Sequence, residues 1–425
     1  MDYDKRRVAI VSQARIPFAR AHGAYRSSNN QEMMTAVLSG LVERAGIRGE
    51  RLGDVALGAV IKHSRDFNLA RESVLGCGLA PETPAFDLQR ACGTSLEAAL
   101  LIGHKIASGQ IEAGIAGGTD SVSDAPVVFN DAYREILFRA HRARSTWQRI
   151  KPFLGLRPRH FKPQFPDVIE PRTGLSMGQS CERMAKTWSI TRQAQDQLAF
   201  ESHSKAAAAQ ADGFYDDLIP FRGLERDDNV RADSKLEKLG SLRTVFDRSE
   251  KGTLTAGNST PLTDGAAAVL LASEDWAREH GLEPLAYLSY GEVAAVDYVS
   301  AEEGLLMAPA YAVPRMLARA GITLQDFDLY EIHEAFAAQV LCTLKAWMDE
   351  RYCQDKLGLK SELGAIDGAR MNLKGGSLAV GHPFAATGAR VLGSAAKQLA
   401  TRGSGRALLS VCTAGGMGVT AIIER

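Results

Sequence analysis

Cysteine is scarce: six residues, at positions 77, 92, 181, 342, 353 and 412, in a chain of 425. They are too few and too scattered for a disulfide framework, and no pair has the two-residue gap of a zinc knuckle or redox motif. Free thiols in a reducing, cytoplasmic setting are expected. Neither sign of charge is in excess, since Lys plus Arg and Asp plus Glu number 50 each, so the bulk charge points to no nucleic-acid partner. Long apolar runs are also missing. The longest uncharged stretch, Ala407 to Ile423, falls short of a membrane span and contains Gly415, Gly416 and Gly418; it reads as a hairpin inside a core. The opening MDYDKRRVAIVSQARIPF lacks the roughly 7–15-residue apolar centre of a secretory leader. Export is not expected. No G-x-G-x-x-G occurs, which argues against dinucleotide binding.

What is present is an ordinary globular composition, 45% apolar and 24% charged, in a chain longer than one core tends to grow. Strand-like runs alternate with helical patterns early on: VAIVS (8–12), DVALGAVI (54–61) and IEAGIAGGTDS (111–121). Between the first two, Met33, Met34, Val37, Leu38, Leu41 and Val42 share one helical face. Such alternation predicts a mostly parallel sheet covered by helices. The pattern resumes after Asp264 with DGAAAVLLAS (264–273), LAYLSYGEVAA (285–295), a helix over 312–320, DLYEIHEAF (328–336) and a terminal pair at 408–412 and 419–423. Two similar α/β halves are expected, residues 1–121 with 251–272 and residues 273–425. The stretch between them, 122–250, loses the strand rhythm, carries a long helix near 191–210 and reads as an inserted loop domain.

Four segments carry candidate chemistry. In DLQRACGTSLEAALLIGHKIASG (87–109), Cys92 precedes a helix that Thr94 or Ser95 can cap, with Leu96, Ala99, Leu100, Gly103 and Ile106 as its buried face. A cysteine just ahead of a helix start is expected to feel its positive end, which favours the thiolate. The plain alternative is a buried core cysteine. In NLKGGSLAVGHPFAATGAR (372–390), His382 lies between Gly381 and Pro383, a turn position. The helix after it resembles the one after Cys92 in its small residues, so the two segments are expected to converge where the halves meet. Cys412 ends a strand before the glycine turn of SVCTAGGMGV (410–419), where backbone amides can approach a ligand. His333 and Glu334 stand at a strand-to-helix junction, with Glu334 read as a cap of the following helix. HEAFA is no zinc-protease motif, because its fifth residue is Ala337. Cys77, Cys342 and Cys353 read as packing residues.

Seven blocks, in order and across essentially the whole chain, resemble the thiolases. They are the Cys92 segment, GGTDSVSDAP (117–126), SMGQSCERMAKTWSITRQAQD (176–196), GTLTAGNSTPLTDGAAAVLLAS (252–273), HEAFA (333–337), GGSLAVGHPFAATGAR (375–390) and CTAGGMG (412–418). The resemblance implies an α/β thiolase fold: two duplicated βαβαβαββ halves in a layered α-β-α-β-α core, with an inserted loop domain. It implies an acetyl-CoA C-acyltransferase that cleaves 3-ketoacyl-CoA with CoA. His333 stands where many members have asparagine, in an NEAF motif. A histidine there resembles the branch containing the trifunctional-enzyme β-subunit and its bacterial counterparts, which act in fatty-acid β-oxidation.

By the same resemblance Cys92 is the nucleophile, His382 its base with a charge change near neutral pH, and Cys412 the second acid and base. Backbone amides of Cys92 and Ala414 match one oxyanion hole; His382 and a group held by His333 match the other. Met177, Thr260 and Phe336 match substrate or CoA contacts, though Ser176 stands where many members have histidine. No metal and no tightly bound cofactor are implied; CoA is a co-substrate, and a homodimer or homotetramer is expected. Ketoacyl synthases share the fold, but Cys412 in CTAGGMG favours thiolase. A biosynthetic thiolase forming acetoacetyl-CoA and a non-catalytic scaffold subunit compete with the degradative thiolase. Last, residues 134–162 hold nine Lys or Arg and one acid, Glu135, interleaved with Ile136, Leu137, Phe138, Trp147, Ile150, Phe153 and Leu154. A solvated face is the plain reading. Docking to a membrane surface or to a hydratase/dehydrogenase α-subunit is the functional one.

Overall fold

The computed structural model describes residues 6–425; residues 1–5, the charged start of the segment searched for a leader, lie outside the described residues. The first half comprises β1 (Val8–Arg15), α1 (Asn30–Ala45), β2 (Asp54–Leu57), β3 (Ala85–Asp87), α2 (Thr94–Ala107) and β4 (Ala113–Asp120). The insertion follows, with α3 (Asp131–Arg142), α4 (Met177–Thr187) and α5 (Arg192–Ala211). Next comes β5 (Thr263–Ser273), and then the second half: β6 (Ala286–Ala295), α6 (Ala308–Ala320), β7 (Leu329–Ile332), α7 (Ala337–Trp347), α8 (Thr387–Arg402), β8 (Arg406–Thr413) and β9 (Met417–Glu424).

Strand order in the first sheet is β3-β2-β4-β5-β1, with β2 parallel to both neighbours and β5 antiparallel to β4 and β1. The run after Asp264, where the sequence pattern resumes, thus completes the first sheet. Every residue of β5 is buried. Its sequence, TDGAAAVLLAS, shows no polar alternation because helices cover both faces. The second sheet runs β7-β8-β9-β6, and β8 and β9 form the hairpin read from the sequence. The counterpart of β3 in this half has shrunk to a single parallel bridge between Tyr330 and Met371. The strand read over 328–336 stops at Ile332, which leaves His333 and Glu334 free to turn into the core.

α2 and α8 lie between the sheets, α1 covers the first sheet and α6 the second, which gives the α-β-α-β-α layering. The central pair are buried almost all round: Leu96, Ala99, Ile102 and Ile106 on α2, and Val391, Leu392, Ala395 and Leu399 on α8. Burying each large side chain there contributes about 1.5–3 kcal/mol. Their close approach demands glycine at 388, where a Cβ would stand 2.3 Å from the Leu96 nitrogen. The two sheets touch edge to edge through only two residue pairs, Ala9 with Tyr287 and Ile10 with Ala286. Helix α1 begins where the Asn29 side chain accepts from the Glu32 amide and ends at Gly46 in the left-handed region, φ 66°. No helix among the described residues is long and apolar enough to cross a membrane.

Candidate active site

Cys92 sits on a tight turn between β3 and α2. Ala91, just before it, lies at φ 43°, a left-handed conformation that costs a residue with a Cβ roughly 1–2 kcal/mol. Thr94 holds that turn: its hydroxyl accepts from the Arg90 amide at 2.9 Å and donates to the Ala91 carbonyl at 2.7 Å. The expected cap of α2 is therefore corrected. Gly93 is the N-cap and no side chain caps the helix, because Thr94 is committed to the turn and Ser95 Oγ accepts from the Ala389 amide at 2.7 Å, tying α2 to α8.

His382 comes from the other half. Its amide donates to Thr263 Oγ1 on β5 at 2.8 Å, its Nδ1 meets Thr387 Oγ1 at 2.6 Å, and its Nε2 faces Cys92 Sγ at 3.2 Å. The amides of Ala414 and of Cys92 itself also point at the Cys92 sulfur. Ala414 lies in the β8–β9 turn, which the insertion holds in place: Glu170 accepts from the Gly415 amide at 2.7 Å and from Tyr298 at 2.9 Å. Cys412 is buried on β8 near its end, opposite Gly418.

His333 closes the group. Its Nδ1 meets Ser377 Oγ at 2.8 Å, and that oxygen also accepts from Arg390 Nη2 at 3.0 Å. Its Nε2 is buried with no hydrogen-bond partner, and its ring centre is 4.2 Å from that of His382. One donor atom from each of Cys92, His333 and His382 lies within 4.8 Å of the others. Glu334 does not cap the next helix, α7, whose N-cap is Phe336 and which has no side-chain cap. Its buried carboxylate instead accepts from Ser202 Oγ, Asn372 Nδ2 and the Leu378 amide, so it fastens the segment ahead of His382 to the insertion and to the His333 turn.

Electrostatics overturn two expectations. Burial, opposed by the Ala414 amide and reinforced by Asp120 and Glu170, pushes the Cys92 thiol up to about 12. The helix start does not win, since the sulfur lies outside the first turn and against the apolar core, which desolvates it. Burial, with Arg390 behind it, pulls His382 down to about 3 rather than leaving its charge change near neutrality. His333 is driven well below its ordinary value by burial and then by His382 and Arg390. Cys412 is driven well above, by burial and then by Cys92. Both directions favour a neutral thiol and neutral imidazoles in the resting centre.

Asp120, inside the GGTDSVSDAP block but given no role there, is a site residue. Its carboxylate accepts from the Val60, Ile61 and Ala385 amides, which pins the turn after His382 to β4; burial lifts its own pKa to about 7. Gly118 lies beneath the same turn, where a Cβ would stand 2.1 Å from the Ala385 oxygen. Thr387 and Ser377 lie inside the block quoted for His382 and could have been marked as hydroxyls within reach of a ring. A G-x-S-x-G run, Gly174 to Gly178, does occur, but its Ser176 caps α4 by accepting from the Gln179 amide and is no nucleophile elbow.

The three CoA candidates separate. Thr260, whose amide and hydroxyl both donate to the Ala335 carbonyl, lines a cleft of about 440 Å³ with Arg20, Arg231, Lys235 and Lys238. Met177 lines a different cleft, of about 460 Å³, against Ala91, Ala414 and Gly415. Phe336 is buried, bridged to Ser259 and set edge-on to Phe246 on the wall of the first cleft. Cys77, Cys342 and Cys353 are buried, as packing residues are.

Family models described as thiolase, N-terminal domain, and thiolase, C-terminal domain, match residues 8–275 and 282–425. A protein named 3-ketoacyl-CoA thiolase from Pectobacterium carotovorum is 44% identical over 98% of this chain and 96% of its own length. One of the same name from Yersinia enterocolitica is 42% identical over 98% and 97%. Among solved structures, Bacillus anthracis acetyl-CoA acetyltransferase superposes with a TM-score of 0.82 at 29% identity, covering 99% of both chains. Human mitochondrial 3-ketoacyl-CoA thiolase superposes with a TM-score of 0.81 at 27% identity over 99% and 98%. With both halves matched, the same layered core and the cysteine and histidine facing each other where the halves meet, the chain belongs to the thiolase family.

Proposed function

We propose that the protein cleaves 3-ketoacyl-CoA with CoA, giving acetyl-CoA and a shortened acyl-CoA through an acyl thioester on Cys92. The 3.2 Å contact between His382 Nε2 and Cys92 Sγ, with the Ala414 amide aimed at the same sulfur, carries this reading. Cys92 attacks the substrate's 3-keto carbon while its proton passes to His382 Nε2. Negative charge moves onto the former keto oxygen, toward the Cys92 and Ala414 amides. When the C2–C3 bond breaks, the electron pair forms the enolate of acetyl-CoA. Its oxygen is met by protonated His382 and by His333 Nε2–H, the tautomer present when Ser377 donates to Nδ1. Cys412 then gives its proton to C2. In the second stage the Cys412 thiolate takes the proton of incoming CoA, the CoA sulfur displaces Cys92 from the thioester, and His382 returns its proton to the departing Cys92 sulfur. Because the resting pair is neutral, charge develops only as the substrate's oxygen can receive it. Phosphates of CoA fit the cleft of Arg20, Arg231, Lys235 and Lys238, with Thr260 along the pantetheine; Met177 lines the second cleft, beside Ala91 and the Ala414 turn.

The test is incubation with 3-ketoacyl-CoA of several chain lengths plus CoA, with mass spectrometry after a short pulse. An acyl adduct on Cys92 is expected. An adduct on Cys412, or no cleavage at any chain length, would overturn the reading.

The pathway role proposed is fatty-acid β-oxidation, on the strength of His333 in place of the family's frequent asparagine, with the chain working as a homodimer or homotetramer. Equilibrium sedimentation giving only a monomer of 45.8 kDa would refute the assembly. The basic segment is proposed to rest on an anionic membrane surface. Helix α3 buries none of its residues, and Phe138, Trp147, Ile150, Leu154 and Phe161 are exposed among the cations. Replacing Trp147, Phe153 and Leu154 by serine should reduce binding to anionic liposomes and spare turnover of a short substrate. Unchanged liposome binding would sink the proposal, and loss of α-subunit binding alone would move the surface to that partner.

A further inference from the structure

We propose that Cys92, His333 and His382 form a binding site for a soft divalent cation, Zn²⁺ above all, and that its occupancy reversibly shuts off the centre. The inference goes beyond the acyl-transfer reading and rests on the cluster's geometry alone. Three donors from three separate segments converge, with one donor atom of each within 4.8 Å of the other two. Tetrahedral zinc, at about 2.3 Å from sulfur and 2.0–2.1 Å from nitrogen, needs donor separations of about 3.3–3.6 Å. The Cys92–His382 pair stands at 3.2 Å. A shift of about 1 Å in the His333 ring closes the rest.

The supporting contacts are those of a metal site. His382 and His333 each have Nδ1 against a hydroxyl, Thr387 and Ser377 respectively, the arrangement that leaves Nε2 to a metal. The catalytic tautomer of His333 carries its proton on Nε2; in the other, Ser377 Oγ accepts from both Arg390 and His333 Nδ1–H, and the Nε2 lone pair faces the cluster. That Nε2 is fully buried and has no other partner. Cys92 is only part-buried, which leaves the fourth position open to water. On binding, the Cys92 proton leaves to solvent and the S–Zn bond takes its place. Thiolate with two imidazoles selects zinc or cobalt over magnesium or calcium.

Occupancy removes the nucleophile and its base together. The test uses full-length protein and a readout independent of turnover: anaerobic titration with Co²⁺, followed by the thiolate-to-cobalt charge-transfer band, then displacement by Zn²⁺ and zinc analysis after desalting. One metal per chain is expected, with Cys92 protected from iodoacetamide and released by chelator. The charge-transfer band should vanish in Cys92→Ser. Zinc affinity should fall about 10–100-fold in Thr387→Val, which removes only the hydroxyl behind His382, and at least as far in His333→Asn. Circular dichroism confirms that each variant is folded, and His333→Gln replaces His333→Asn if that one is not. Absence of the band in the parent protein, or equal zinc affinity in the parent, Cys92→Ser and the His333 variant, overturns the proposal. Either result would leave the acyl-transfer reading standing, since turnover in metal-free buffer tests that separately.

Discussion

Gly118→Ala tests whether β4 sets the position of the base. An added Cβ would meet the Ala385 oxygen at 2.1 Å, its carbonyl carbon at 2.5 Å and its Cβ at 3.1 Å. To reach even 3.0 Å the carbonyl must retreat by about 0.9 Å, where real Cβ contacts begin. The obstacle is backbone, so no rotamer change relieves it. Nor can the turn slip aside freely, because the Ala385 amide is bound to Asp120 at 2.7 Å. The strain passes to His382, three residues earlier. Overpacking of this kind costs about 1–3 kcal/mol of stability. A misplacement of about 1 Å at a reacting group costs about 10²-fold in rate. The expected variant is folded, modestly less stable to urea, and about 100-fold lower in kcat/KM for a short 3-ketoacyl-CoA. Gly368→Ala, where a Cβ would meet nothing within 4 Å, is the control and should match the parent. A folded Gly118→Ala protein with parental kcat/KM would show that β4 does not position His382.

Four further outcomes are expected. Cys412→Ala should still be alkylated at Cys92 yet turn over about 10²–10⁴-fold more slowly; near-normal turnover would mean that water supplies the proton. Because His382 takes a proton only near pH 3 and the Cys92 thiol titrates near 12, alkylation of the free protein should climb steadily from pH 6 to 10. A plateau reached by pH 7 would instead reveal a preformed thiolate–imidazolium pair. The same depression makes the unfolded chain bind a proton that the folded chain refuses. This contribution to stability is therefore full above about pH 6.5 and is lost as pH falls from there toward 3. In Glu334→Gln an amide nitrogen must face either Asn372 Nδ2 or the donors on the other oxygen. Asn372 cannot flip, because its Oδ1 holds the Ile332 amide and its Nδ2 the Ile332 carbonyl. A loss of about 1.5–3 kcal/mol in urea unfolding is expected, and an unchanged midpoint would deny the network that role.

The features legible in the sequence are those written in neighbouring residues. Gly and Pro around His382, the turn-helix pattern after Cys92 and the glycine run after Cys412 each mark a local conformation, and their family order supplied the fold. What the sequence concealed depends on contacts made at long range. Whether Cys92 is a thiolate turns on how much water the second half excludes from it, and the dipole argument used only local information. Asp120 and Glu170 look like ordinary acids in a strand and a loop. Only the folded chain aims them at the Ala385 and Gly415 amides. Thr260 and Met177 match one ligand by motif but face separate clefts. The strand after Asp264, placed with the first half, hydrogen-bonds to β4 and β1.

Strand β9, the last of the nine in chain order, is inserted between β8 and β6 and is paired along its length on both sides. The translation product consequently has no working intermediate length. A chain stopped short of Met417 leaves β6 and β8 as two open, apolar edges in the middle of a sheet, the kind of surface that recruits other chains. The same chain leaves the Ala414 turn without its second leg. A truncated product is therefore inert and adhesive rather than merely slow.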